Sequence, residues 1–248
     1  AMEWQRGPEI VNLRLSSVGD YQGRESLVVR FIYHLSPANY HLLFPDQWCM
    51  LKKLLKQRGL ILFAGPMGSG KTTTMYQLAR ELSDQQVVMT IEDPVEIHEP
   101  SFIQLQVNEL AGMDYQQLLR LGLRHRPDVF IIGEIRDPET ATMTIRAALS
   151  GHLVLGTVHA QNVYGVGARL AQLGVPVEYL PQVLSGICYQ RLLPQQPSGQ
   201  AVLFDLLPGW KEESAVKRGM TDEWGKRLTA AYEQGKISAA TQAAFAQG

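Results

Sequence analysis

The sequence predicts an α/β domain built on a mainly parallel sheet. Two observations predict it. First, four short apolar runs each end in a polar or glycine-rich segment, and a helical pattern follows: Leu60–Ala64, Val87–Ile91, Val129–Ile132 and Leu153–Val158. Strands alternating with helices imply parallel pairing, because parallel neighbours need a crossover between them. Second, the first run leads directly into Gly65-Pro66-Met67-Gly68-Ser69-Gly70-Lys71-Thr72. This segment fits G-x-x-x-x-G-K-[ST], the loop that cradles phosphate between a strand and a helix.

Composition bounds the rest. The 248 residues are 45% hydrophobic, enough for a sizeable core, and the net charge is −1, so the overall charge points to no polyanionic partner. Two cysteines, Cys49 and Cys188, stand far apart and form no C-x-x-C pair, so neither a disulfide framework nor zinc is expected. The apolar runs are too short to span a bilayer and no signal peptide is visible, which reads as a cytoplasmic protein. Ala1-Met2-Glu3-Trp4 shows no domain-opening pattern, so the chain is expected to begin inside a longer protein.

Residues 9–16 and 26–33 partly alternate apolar and polar, with turn residues Gly19–Gly23 between them. They predict a hairpin that carries Arg14 and Arg30. From the residues alone, both arginines read as solvated strand faces. Residues 36–45 form a linker. Asp46 is expected to cap a helix with Trp48, Leu51, Leu54 and Leu55 on its apolar face and Gly59 at its end. A helix from Thr72 to Leu82 follows the loop, and Tyr115–Leu123 predicts another. Asp137-Pro138-Glu139 supplies an N-cap, a first-turn proline and a first-turn acid for the next. Helices are expected over 163–173 and 177–187, and a last strand over Ala201–Leu207. A helical tail over 211–248 carries Trp224, Leu228, Ala231 and Tyr232 as its packed face.

In parallel sheets, ligands bind beyond the carboxyl ends of the strands. Lys71, Glu92, Glu134 and His159 all fall at that edge. Lys71 is expected to reach the β- and γ-phosphates of a bound nucleotide, and the Thr72 hydroxyl to ligate Mg²⁺. Glu134, after a buried strand, stands where a carboxylate would hold Mg²⁺ or polarise the attacking water, and Glu92 is the second candidate for the water. His152 and His159 bracket the fourth strand. His159 could donate a hydrogen bond to the terminal phosphate, while a structural role accounts for either histidine. Arg126 and Arg136 fit structural pairing with acids equally well.

Four motifs in order then resemble one family. They are Gly65–Thr72, with Thr73 after it; Thr90-Ile91-Glu92-Asp93-Pro94-Val95-Glu96; Asp128 through Gly133-Glu134-Ile135-Arg136-Asp137; and Gly151-His152-Leu153-Val154-Leu155-Gly156-Thr157-Val158-His159. They resemble the Walker A, Asp box, Walker B and His box of the ATPases that power type II secretion, type IV pili and competence pseudopili. The resemblance covers residues 9 to about 207. It implies a RecA-like core over 46–208, preceded by the end of a small α+β N-terminal domain (1–35) and followed by a helical subdomain (209–248). It implies ATP and Mg²⁺ as ligands, with Pro66, Met67, Thr73 and His152 in the nucleotide site beside the loop glycines, Ser69 and Lys71. It implies that Arg14 and Arg30 reach a neighbouring subunit's nucleotide, as catalytic residues with Glu134, Glu92 and His159. A homo-hexamer at the inner face of the membrane is implied, with a membrane platform protein as partner and no direct grip on nucleic acid. Two departures stand out: Gln190–Pro194 runs into Gly199–Phe204 without the tetracysteine module of the secretion branch, and the His box continues Ala160-Gln161-Asn162. The segments 173–194 and 224–238 resemble the compact Gram-positive competence ATPases. ATP-driven pseudopilus assembly for DNA uptake is the implied function, with pilus retraction or a nucleotide-dependent switch as alternatives.

Overall fold

The computed structural model describes residues 2–6, 9–32 and 40–248. Two sheets form. A three-stranded antiparallel sheet comprises β1 (Met2–Arg6), β2 (Glu9–Gly19) and β3 (Glu25–Ile32), in that order. The predicted hairpin is present, longer than its sequence pattern, and β1 adds an unforeseen third strand. Arg14 and Arg30 are direct partners across β2 and β3. Their side chains, residue 33 and residues 36–39 of the linker lie outside the described residues.

The second sheet has seven strands in the order β10-β9-β4-β8-β7-β5-β6. They are β4 (Gly59–Ala64), β5 (Val88–Glu92), β6 (Ile103–Gln106), β7 (Val129–Ile132), β8 (Leu153–Val158), β9 (Leu184–Pro194) and β10 (Gln200–Pro208). Every neighbouring pair is parallel except β9 with β10. All residues of β4, β5, β7 and β8 are buried. That burial explains their unbroken apolar runs, since helices cover both faces. Side chains alternate between faces along a strand. Accordingly Leu60, Leu62 and Ala64 of β4 join one core cluster, while Ile61 and Phe63 join the other.

The helices are α1 (Pro45–Leu54), α2 (Lys71–Arg80), α3 (Tyr115–Arg124), α4 (Pro138–Leu149), α5 (Gly165–Gln172), the short α6 (Leu180–Val183), α7 (Asp222–Glu233) and α8 (Ala239–Ala244). Asp137 caps α4 as expected, accepting from the Thr140 backbone N–H at 2.7 Å. Asp46 does not cap α1. Pro45 opens that helix after Phe44, and Asp46 sits in its first turn, bound through both carboxylate oxygens by Arg227 of α7 at 3.0 and 2.7 Å. Gly59 does not end α1 either. With φ at +119° it opens β4, where a β-carbon would meet the Val183 carbonyl at 2.8 Å.

The helix expected over 177–187 is corrected by the structure. Val177, Leu180, Leu184 and Ile187 recur at helical spacing, yet the helix stops at Val183 and the chain runs on as β9. A strand buried between β4 and β10 also demands a continuous apolar run, so periodicity alone could not separate the two. Within it, Gly186 leaves room for Leu54, whose Cδ1 would lie 2.7 Å from an added β-carbon. The tail packs onto the same core. Trp224, Leu228, Ala231 and Ile237 join the cluster that includes Tyr189 and Leu203, while Tyr232 is exposed.

Candidate active site

The phosphate-type loop turns on three glycines with left-handed φ: Gly65 (+139°), Gly68 (+76°) and Gly70 (+84°). At Gly65 a β-carbon would come within 2.5 Å of the Gln190 carbonyl, so only glycine brings the loop this close to β9. Gly70 is the N-cap of α2, and no side chain caps that helix. Its first-turn N–H groups therefore stay available at the positive end of the helix dipole.

The carboxyl ends of the parallel strands bring Lys71, Glu92, Glu134 and His159 to one cleft of about 580 Å³. Lys71, Thr72 and Thr73 line it from α2, Glu92 from β5, Glu134 from the segment after β7, and Thr157 and His159 from β8 and beyond. Met67, Gly68 and Gly70 complete the loop side, and Phe31 of the hairpin also lines the cleft. Gly65, Pro66 and His159 also border an adjoining hollow against Tyr189 and Arg191.

Lys71 is largely buried. Its Nζ donates to the carbonyls of Gly65 and Pro66, each at 2.9 Å. Burial lowers its pKa, and the nearby Glu134 charge works in the opposite direction. Among the described residues the buried Ser69 hydroxyl has no hydrogen-bond partner. Glu134 Oε1 lies 2.9 Å from His159 Nε2, so the two residues meet from the ends of neighbouring strands.

Glu92 is built differently from Glu134. It is 3% exposed, and its Oε1 accepts from the Tyr76 hydroxyl and from Thr90 Oγ1, the latter at 2.7 Å. Gln104 in turn donates to the Tyr76 oxygen at 2.8 Å. Burial pushes the Glu92 carboxyl up despite these donors. Next to it, Asp93 pairs with Arg136 at 3.0 Å, which accounts for Arg136 structurally.

His152 is not part of this cleft. It precedes β8 whereas His159 follows it, which separates them by the strand's length, roughly 20 Å. Its Nδ1 lies 3.0 Å from Ser150 Oγ and 3.2 Å from the Ala147 carbonyl, and its ring packs on Phe130. Local chain reversal after α4 is what it holds.

Tyr76, Gln104 and Gln190 carry no motif signal in the sequence that points to the site, and Thr90, though part of the second motif, carried no role of its own. None belongs to a phosphate-loop pattern. Tyr76 could have been flagged as a hydroxyl on the helix face that packs on the sheet. Gln190 could have been flagged as a polar residue inside an apolar run, had that run been read as a strand.

Loop, lysine, strand-end glutamate and sheet order together define a phosphate-loop nucleotide-binding α/β protein. Residues 3–236 match the model of the type II/IV secretion system protein family, and the chain belongs to that family. It is 46% identical over 230 residues to the competence protein ComGA of Streptococcus pneumoniae, covering 93% of this chain and 70% of that one. Against ComGA of Bacillus subtilis the identity is 40% over 188 residues, covering 74% and 52%. The chain thus spans about half to seven-tenths of these relatives' lengths. Among solved structures it resembles that of the pilus retraction motor PilT with bound ADP, at TM-score 0.70 and 28% identity, covering 93% of this chain and 76% of that one. The Legionella pneumophila ATPase DotB shares the fold at TM-score 0.76 and 22% identity, covering 99% and 76%.

Proposed function

We propose that this chain is the ATP-hydrolysing motor of a pseudopilus assembly machine that serves DNA uptake. The observation that carries the reading is the single cleft joining the loop, Lys71, Glu134 and His159. The residues fit a nucleotide with Mg²⁺: uncapped helix N–H groups, a buried lysine and the unpartnered Ser69 hydroxyl suit phosphate, and the Thr72 hydroxyl with the Glu134 carboxylate is an all-oxygen set suited to a hard cation. When bound, Mg²⁺ neutralises charge developing on the transferred phosphoryl group. Lys71 would exchange its loop carbonyls for phosphate oxygens. Glu134 would accept hydrogen bonds from the attacking water, and His159 would fix the Glu134 carboxylate. Glu92 would brace the site, since its Oε1 already serves two protein donors.

Relatives named as competence proteins support the assembly reading. We further propose a closed hexamer at the cytoplasmic face of the membrane, docked on a membrane platform protein, with Arg14 and Arg30 serving a neighbour's site. The likeness to a retraction motor favours a second reading, in which hydrolysis disassembles the fibre. Two measurements test these: phosphate release by the purified protein, and surface pilin in cells lacking and then regaining it. Pilin export lost with the gene and restored with it supports assembly. Excess surface fibre in its absence supports retraction. No phosphate release rejects the motor.

A further inference from the structure

Gln190 is wholly buried on β9, at the back of the phosphate loop. Its Nε2 donates to the Ser69 carbonyl at 2.5 Å, and its Oε1 lies 2.7 Å from Thr74 Oγ1. Thr74 Oγ1 in turn lies 2.7 Å from the Tyr40 hydroxyl. A hydroxyl donates only one proton. Thr74 Oγ1 also lies 3.1 Å from the Gly70 carbonyl, but Gln190 Oε1 is the nearer acceptor, so the direction is Tyr40 to Thr74, Thr74 to Gln190, Gln190 to Ser69. Because a carbonyl can only accept, the Ser69 end fixes the orientation of the Gln190 amide and so of the whole series.

The consequence falls on the loop. A trans peptide is planar, with its C=O and N–H pointing in opposite directions. Gln190 holds the Ser69 C=O toward β9, so the N–H of the same peptide, that of Gly70, points away from β9. Gly70 lines the cleft. We infer that Gln190 is a positioning residue for nucleotide binding: it locks the Ser69–Gly70 peptide so that the Gly70 N–H is presented to a phosphate oxygen. Gly70 has φ at +84°, where glycine rotates its flanking peptides with little steric penalty, so this peptide needs an external hold. The inference rests on the nucleotide reading of the cleft.

Two variants test it, Gln190→Met and Gln190→Glu, with binding of a fluorescent ATP analogue as the readout beside thermal melting. Gln190→Met fills the same space without a donor and should weaken binding about tenfold or more. Gln190→Glu is the sharper arm. Ionised, its carboxylate faces the Ser69 carbonyl with no proton to donate. Protonated, it can donate as the amide did, and burial favours the protonated form. Relative to wild type at each pH, Gln190→Glu should bind poorly at pH 8.5 and recover severalfold at pH 5.5. A merely structural glutamine would give no such recovery at constant melting temperature. Wild-type affinity in a folded Gln190→Met protein would overturn the inference, and so would a pH-independent Gln190→Glu defect, even where Gln190→Met fails to fold. A wild-type protein that binds no nucleotide would reject the nucleotide reading itself, and the inference with it.

Discussion

Glu134 Oε1 and His159 Nε2 stand 2.9 Å apart, although 25 positions separate them in the chain. Strands β7 and β8 are parallel neighbours, in register from Val129 with Leu153 to Ile132 with Gly156. Their carboxyl ends therefore deliver the two side chains to one place. The Ile135 N–H bonds the Thr157 carbonyl at 2.9 Å and Thr157 Oγ1 bonds the Gly133 carbonyl at 2.5 Å, tying both strand ends together around the pair.

Replacing Glu134 by Gln should leave nucleotide binding intact and slow hydrolysis at least ~100-fold, the scale of a lost acid–base or water-orienting group. Single-turnover phosphate release measures it. Glu92→Gln is the comparison and should be the milder change in rate. A dead Glu92→Gln protein beside a normal Glu134→Gln protein would reverse the two roles.

Glu92 should also leave a signature in stability. Its folded-state pKa is raised from the ordinary 4.5 because burial disfavours the charge. The native state therefore holds the proton more tightly than the unfolded state, and stability falls as pH rises from the ordinary carboxylate range through the raised value. Glu92→Gln removes that contribution. Denaturant unfolding of both proteins at a series of pH values upward from about 4.5 should show the variant losing less stability than wild type. Parallel curves would mean that Glu92 carries no raised pKa.

Arg14 and Arg30 should act across a subunit boundary. They are paired on a hairpin that forms its own sheet, separated in sequence from the core. Arginine fingers contribute about 10³–10⁵ in turnover in well-studied cases. Mixing two inactive proteins, Lys71→Ala and the double variant Arg14→Ala with Arg30→Ala, in an assembling form should restore partial activity, because some sites then join an intact lysine to a neighbour's intact arginines. No recovery despite demonstrated co-assembly would mean that the arginines act in cis or only hold the hairpin in place.

The sheet edge was legible because buried parallel strands write themselves as unbroken apolar runs. Lys71, Glu92, Glu134 and His159 each follow such a run, or stand at its end, so their convergence could be read in advance. What was not legible lacked that signature. Strand β6 is a four-residue edge strand, Ile-Gln-Leu-Gln, too short to stand out, and Ile103 is exposed. Strand β9 carries an apolar spacing that suits a helix equally well. His152 entered the nucleotide site through the motif resemblance alone; its place before β8 puts it at the amino end of that strand, away from the cleft. Tyr76 and Gln190 act through partners 16 and 121 residues away, contacts that only the folded chain displays.

Hydrolysis at the Gly65–Thr72 loop stands or falls on Lys71→Ala. Among the described residues Lys71 Nζ hydrogen-bonds the Gly65 and Pro66 carbonyls of its own loop, so the substitution should spare the fold. The measurement is phosphate released from ATP by wild type and variant, with circular dichroism and melting temperature as the check on folding. Wild type should turn over ATP, and a folded Lys71→Ala protein should release none above background. Undiminished turnover in that folded variant would rule out hydrolysis at this loop.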